Sequence, residues 1–244
     1  MGQLREGREL DVSTEARVLA LDAVDVPAFH ARPDGMPRAG VVLHPDIGGM
    51  RPLFDEMARR LATHGLAVCV VEPFAGIPAE ELPTIEARMA RVAQLGDQQQ
   101  LEMLSSAADL LVVEDGVSRV CVLGFCMGGY YALKAAASDR FDAAVAFYGM
   151  IRTPEAWSGP ANTIEPLEVA DQMCPTLAIF GSIDPFTPVA DIEALRAAWA
   201  GRSDCEIVVI EGADHAFVHD PDRPVHRPDD AAACWDRAIS WMLG

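Results

Sequence analysis

The sequence predicts an α/β fold, a mostly parallel sheet of about eight strands with helices on both faces. Three observations predict it. Short apolar runs alternate along the chain with longer segments of helical period. Several of those runs, such as residues 40–43 (GVVL) and 66–71 (LAVCVV), are apolar throughout, as strands covered on both faces are. No repeat, linker or low-complexity stretch divides the 244 residues, half of them apolar, so one domain over 1–244 is expected.

The elements follow in order. Residues 17–21 and 26–31 open the chain as a strand hairpin. The run at 40–43 is a buried strand that ends in the turn-rich loop H-P-D-I-G-G, 44–49. Residues 52–64 have helical period, with Leu53, Met57 and Leu61 on one face, and stop at Gly65. A strand at 66–71 leads into a loop at 73–83, rich in proline and small residues. Residues 85–95 and 98–113 are helices with Gly96 between them. Then come a strand at 119–123, a helix at 128–138 and a strand at 142–147. Residues 148–169 carry several prolines and no period, so they form an excursion loop. A strand at 175–180, a helix at 188–200, a strand at 206–210 and a helix at 229–243 complete the chain. Such alternation makes parallel β-α-β units. Function in sheets of this kind sits at the carboxyl ends of the strands. That rule singles out four loops: 44–50, 124–129, 181–188 and 211–219.

Composition narrows the function classes. A net charge of −18 disfavours nucleic acid and anionic membrane surfaces as partners. No apolar run approaches the roughly 20 residues of a membrane span, and the first residues, MGQLREGREL, lack an export-type apolar segment. Cytoplasmic localisation is the expectation. The six cysteines (Cys69, Cys121, Cys126, Cys174, Cys205 and Cys234) are scattered, with no C-x-x-C and no zinc spacing. They are expected as free thiols, most of them small core hydrophobes.

Cys126 stands apart. The segment G-F-C-M-G-G, 124–129, lies between a strand and a helix and matches the nucleophile elbow, with cysteine as nucleophile. Gly124 and Gly128 are expected to keep β-carbons away from the tight turn, and Gly129 to let the helix approach the sheet. The helix N-terminus favours a thiolate or oxyanion there. A nucleophilic cysteine needs a base, and the base an orienting acid, in the chain order nucleophile, acid, histidine. His215 in E-G-A-D-H-A-F follows the 206–210 strand and is the base; His219 and His226, in a polar, proline-rich stretch, are expected at the surface. Asp184 in G-S-I-D-P-F-T-P follows the preceding strand and is the acid. Asp191 falls inside a helix, and Asp214 adjoins His215 and points away from it. The amides of Met127 and Ile47 are the expected oxyanion donors.

Together these residues resemble the dienelactone hydrolase family of the α/β-hydrolase fold, over about residues 18–243. The resemblance rests on G-F-C-M-G-G, G-S-I-D-P-F-T-P and D-H-A-F in order and spacing. It implies a Cys126–His215–Asp184 triad that hydrolyses an ester or lactone through a thioester, with no metal or organic cofactor. It also implies a thiol-modulating carboxylate after the third strand. Asp46 is the nearest match, where the family has a glutamate. The family binds a substrate carboxylate with arginines. One of those positions is His219 here, with Arg223 further on, and Arg88 or Arg91 could match the other. The substrate partner is therefore a small ester or lactone, acted on by a monomer or homodimer.

Phe125, Tyr148, Trp157 and Phe186 could line the pocket or belong to the core, and residues 74–94 and 148–169 would shape it. Two alternatives stay open on sequence alone. One is a broad-scope carboxylesterase or acyltransferase on the same triad. The other is a non-catalytic binding or redox-sensing protein that retains the fold.

Overall fold

The computed structural model describes residues 4–8 and 11–244. Eight strands form one sheet in the order β1-β2-β4-β3-β5-β6-β7-β8. The opening hairpin, β1 (Val12–Ala20) and β2 (Asp25–Pro33), is antiparallel, and β2 pairs antiparallel with β4 (Leu66–Val71). From β4 onward every pairing is parallel, through β3 (Ala39–His44), β5 (Val120–Phe125), β6 (Ala143–Phe147), β7 (Thr176–Gly181) and β8 (Cys205–Ile210). This is the α/β-hydrolase arrangement. The expected opening strand was too short at its start: β1 begins at Val12. Its first half, Val12–Ala16, is largely exposed and polar, so it carries no apolar run for the eye to catch. It is a strand because its backbone pairs with β2.

The apolar runs make two cores, not one. A strand's period of two sends alternate side chains to opposite faces. Leu123, Val145, Leu177 and Ile179 face α1 (Pro52–Ala62) and α6 (Pro228–Leu243). Val42, Val122, Ala144 and Phe180 face α3 (Asp97–Asp115), α4 (Met127–Ala136) and α5 (Val189–Ala198). A third, smaller cluster lies at the carboxyl end of the sheet: Phe74, Leu82, Val92, Leu95, Met127, Tyr130, Tyr131, Met150 and Trp157. It packs α2 (Ile85–Val92) and the excursion after β6 over the start of α4.

A buried ion pair anchors that excursion. Lys134 of α4 is 1% exposed, and its ammonium donates to Asp97 Oδ1 and to Asn162 Oδ1, both at 2.5 Å. Asp97 Oδ2 accepts from the amides of Thr163 (2.6 Å) and Ile164 (2.7 Å), and Asn162 Nδ2 donates to the Trp157 carbonyl at 3.0 Å. A buried ammonium is tolerated only when its charge and donors are met, and here the loop meets them. The proline-rich segment without period is thus held in one shape by side chains from two helices.

Candidate active site

The elbow sits between β5 and α4. Cys126 has φ 55° and ψ −116°, a left-handed conformation that costs a non-glycine residue about 1–3 kcal/mol. Its amide donates to the Phe147 carbonyl at 3.0 Å. The flanking glycines are there for close approach. A β-carbon on Gly124 would lie 2.0 Å from the Gly128 carbonyl oxygen. One on Gly128 would lie 2.1 Å from the His44 carbonyl oxygen, so Gly128 makes room for the end of β3, whereas the sequence had suggested the tight turn itself. One on Gly129 would lie 2.7 Å from the Phe147 carbonyl, which is the helix-to-sheet approach expected of it.

Two other strand ends bring up His215 and Asp184. The Ser182 amide donates to the Ile210 carbonyl (3.0 Å) and the Ile183 amide to the Ala213 carbonyl (3.1 Å), so the loops after β7 and β8 run side by side. Asp184, 4% exposed, accepts from the Phe186 amide through Oδ1 and from His215 Nδ1 through Oδ2, both at 2.8 Å. With Nδ1–H committed to Asp184, Nε2 is the atom left for the thiol. Burial alone would lower the His215 pKa. The hydrogen bond to Asp184 and the neighbouring Cys126 sulfur outweigh it and raise the value from 6.5 to about 10. Asp214 caps the His215 amide at 2.7 Å, and Asp191 pairs with Arg152 at 3.0 Å. Neither competes for the imidazole. The amides of Ile47 and Met127 have no hydrogen-bond partner among the described residues. Met127 is the first residue of α4, where an amide has no intrahelical acceptor.

A second His–Asp couple adjoins the first. Asp46, 6% exposed, accepts from both Arg51 terminal nitrogens (2.6 and 2.9 Å), from the Gly48 amide (2.8 Å) and from His219 Nε2 (2.7 Å). Its hydrogen bonds therefore go to these groups and not to Cys126. Burial would raise the Asp46 pKa, but His219 and Arg51 hold it well below the usual carboxylate range. His219, expected at the surface, is 4% exposed. It packs against Phe125 and Phe54, and its Nδ1 accepts a short hydrogen bond from the Tyr148 hydroxyl. Burial lowers its pKa. Tyr148 had no sequence signal for this role, because its link to His219 crosses 71 residues between different elements; Arg51 stands five residues from Asp46 in the same loop, but no pattern there marks the pairing.

A cavity of about 330 Å³ opens over Cys126 and His215. Trp157 and Phe186 line it, with Ile85, Met89 and Met150 from the regions expected to shape it. Phe125 and Tyr148 do not line it: both are fully buried in the core, Phe125 stacked on Phe147 at 4.8 Å. Nor does Arg88. Its guanidinium lies over the Phe74 ring at 5.2 Å, and the face of α2 that meets the cavity carries Ile85 and Met89. Arg91 is paired with Glu81. Arg223 reaches the rim. The cysteines are free, and one group has metal-ligand geometry among the described residues: Glu15, His30 and Glu114. Arg17 already spans its two carboxylates. Among the described residues no helix is long and apolar enough to cross a membrane.

A sequence model described as the dienelactone hydrolase family matches residues 26–243. The chain belongs to the dienelactone hydrolase family. A protein of Escherichia coli strain K12 named "putative carboxymethylenebutenolidase" is 32% identical over 229 residues, covering 89% of this chain and 82% of its own. A "carboxymethylenebutenolidase" of Rhodococcus opacus is 30% identical, covering 89% and 85%. A crystal structure described as a "putative dienelactone hydrolase" from Klebsiella pneumoniae superposes with a TM-score of 0.84 at 28% identity, covering 95% of this chain and 98% of that one. The chain is accordingly a hydrolase of this family, in agreement with the class its motifs predicted.

Proposed function

We propose that the protein hydrolyses a small ester or lactone by covalent catalysis at Cys126, with His215 as base and Asp184 as its orienting acid. The observation that carries the reading is the 2.8 Å bond from His215 Nδ1 to the buried Asp184, with Cys126 on its strained elbow lining the same cavity as His215. Nε2 holds the proton given up by the thiol as sulfur attacks the substrate carbonyl carbon. The oxyanion is held by the amides of Met127 and Ile47. As the C–O bond breaks, the leaving alkoxide takes the proton from Nε2, and in a lactone it stays tethered as a hydroxyl of the acyl group. Water then gives its proton to Nε2 and attacks the thioester. The thiolate leaves and recovers the proton. No step calls on a metal or organic cofactor.

The test is hydrolysis of an activated aryl ester by wild type and Cys126→Ala. The expected outcome is a rate about 10³-fold lower for the variant, with acyl-enzyme trapped on Cys126 in wild type by mass spectrometry. Equal rates, or acylation at another residue, would remove the proposal. The partners implied are small molecules.

A further inference from the structure

We propose that this pocket selects uncharged esters with an apolar acyl group and rejects those that carry a carboxylate on it. The inference rests on the hydrolytic reading and names its substrate class. At about 330 Å³ the cavity is near the lower end of ligand pockets, which run roughly 300–1,000 Å³. Its walls beyond the reacting groups are Ile47, Met89, Met150, Trp157 and Phe186, with Ile85 at the edge. Ile85, Met89 and Phe186 are also 46%, 38% and 51% exposed, so the apolar lining continues out of the mouth.

The polar groups inside leave nothing for an anion. Asp46 is itself an anion, and its neighbour Arg51 is spent on it through two hydrogen bonds. His219 has both ring nitrogens engaged, Nδ1 by the Tyr148 hydroxyl and Nε2 by Asp46, so it offers no donor to a ligand. Burial keeps it in the neutral form, consistent with that pattern. Arg88 is turned onto Phe74. Among the described lining residues the cationic groups are His215, whose Nδ1 is held by the Asp184 carboxylate, and Arg223, exposed at the rim. A carboxylate on the acyl chain would lose its water in an apolar chamber beside the Asp46 anion, where the one nearby imidazolium is already matched by Asp184 and Arg223 stands only at the rim. An alkyl chain of the same length gains there from burial, at roughly 25 cal/mol per Å².

The experiment compares p-nitrophenyl pentanoate with mono-p-nitrophenyl glutarate, equal in reach and differing in the terminal carboxylate. The expected kcat/KM is higher for the pentanoate by about tenfold or more. Equal or reversed preference would overturn the proposal. The same pair is titrated calorimetrically into Cys126→Ala protein, which reads selection without chemistry. Tighter binding of the pentanoate supports the proposal even if wild type turns over neither ester, a result that would count against the hydrolytic reading alone. Equal or tighter binding of the glutarate overturns it. A third arm, Met89→Lys, sets a cation at the mouth on an exposed helix face. It is expected to shift the pentanoate-to-glutarate ratio toward the glutarate by about tenfold, with the thermal midpoint checking that the fold is intact. No shift in a folded variant would show that charge in the pocket does not set the preference.

Discussion

Two histidines flank one cavity, and each is hydrogen-bonded to an aspartate, yet their protons behave oppositely. His215 pairs with Asp184 and its pKa is raised to about 10; His219 pairs with Asp46 and its pKa is lowered. The difference lies in what else each aspartate and each imidazole meets. Among the described residues the Asp184 carboxylate accepts one other bond, from the neutral Phe186 amide, so its charge is left for His215. The far edge of His215 meets the thiol of Cys126, a second group that favours imidazolium. Asp46 is already matched by the Arg51 guanidinium, and the far edge of His219 meets a neutral hydroxyl in full burial. A carboxylate neighbour does not by itself charge a histidine. The sum of desolvation and all partners does.

The comparison can be broken most sharply by activity. Asp184→Asn is expected to lower kcat/KM for an aryl ester by about 10³-fold or more, because the imidazole loses its tautomer and its counter-charge. His219→Gln is expected to cost less than about tenfold, since His219 does not touch the reacting atoms in the proposed mechanism. Similar losses in both would dissolve the distinction between the couples.

Stability ranks them the other way. Asp46→Asn leaves the partly buried Arg51 without its anion, and denaturant unfolding is expected to show a loss of about 2–4 kcal/mol. Retained stability would mean that Arg51 turns out to solvent at little cost.

The pH dependence follows from the signs. Asp46 is held below its ordinary 3.8, so its contribution is present above that pH and lost as pH falls further. His219 is held below 6.5: the unfolded chain takes up a proton that the folded one refuses, and stability falls as pH drops below 6.5. His215 is raised, so its contribution is whole below pH 6.5 and lost as pH climbs toward about 10. Thermal or denaturant melts should therefore show His219→Gln flattening the acid limb and His215→Gln the alkaline limb, each by at most about 1.4 kcal/mol per pH unit. Swapped limbs would reverse the assignment. The smallest expected effect is that of Tyr148→Phe. It removes the donor to His219 Nδ1 and is expected to cost about 1–2 kcal/mol, with the aryl-ester rate changed less than about twofold.

Much of the fold was legible because its signals are local. Continuous apolar runs marked the buried parallel strands, and Gly65 marked the end of α1. Where the signal was not local, it was missed. The first half of β1 is an edge whose polar face declares nothing. The Lys134–Asp97 pair joins helices 37 residues apart in sequence and orders the excursion that the pattern could only describe as irregular. His219 stood in a polar, proline-rich stretch and was expected outside. It is inside because Phe54, Phe125 and Tyr148 close over it and Asp46 takes its proton donor.

By itself the sequence determined the sheet class, the elbow at Cys126 and the loops that carry Asp184 and His215. Strand–turn–helix order is written in short-range periodicity, and parallel topology places strand ends on one side. Only the tertiary structure decided that Asp46 meets His219, which way Arg88 turns, that His219 is buried, and that the pocket over Cys126 is apolar. Those outcomes depend on burial and on partners brought together across the fold. They set the local dielectric and the hydrogen bonds, and no short window of sequence contains them.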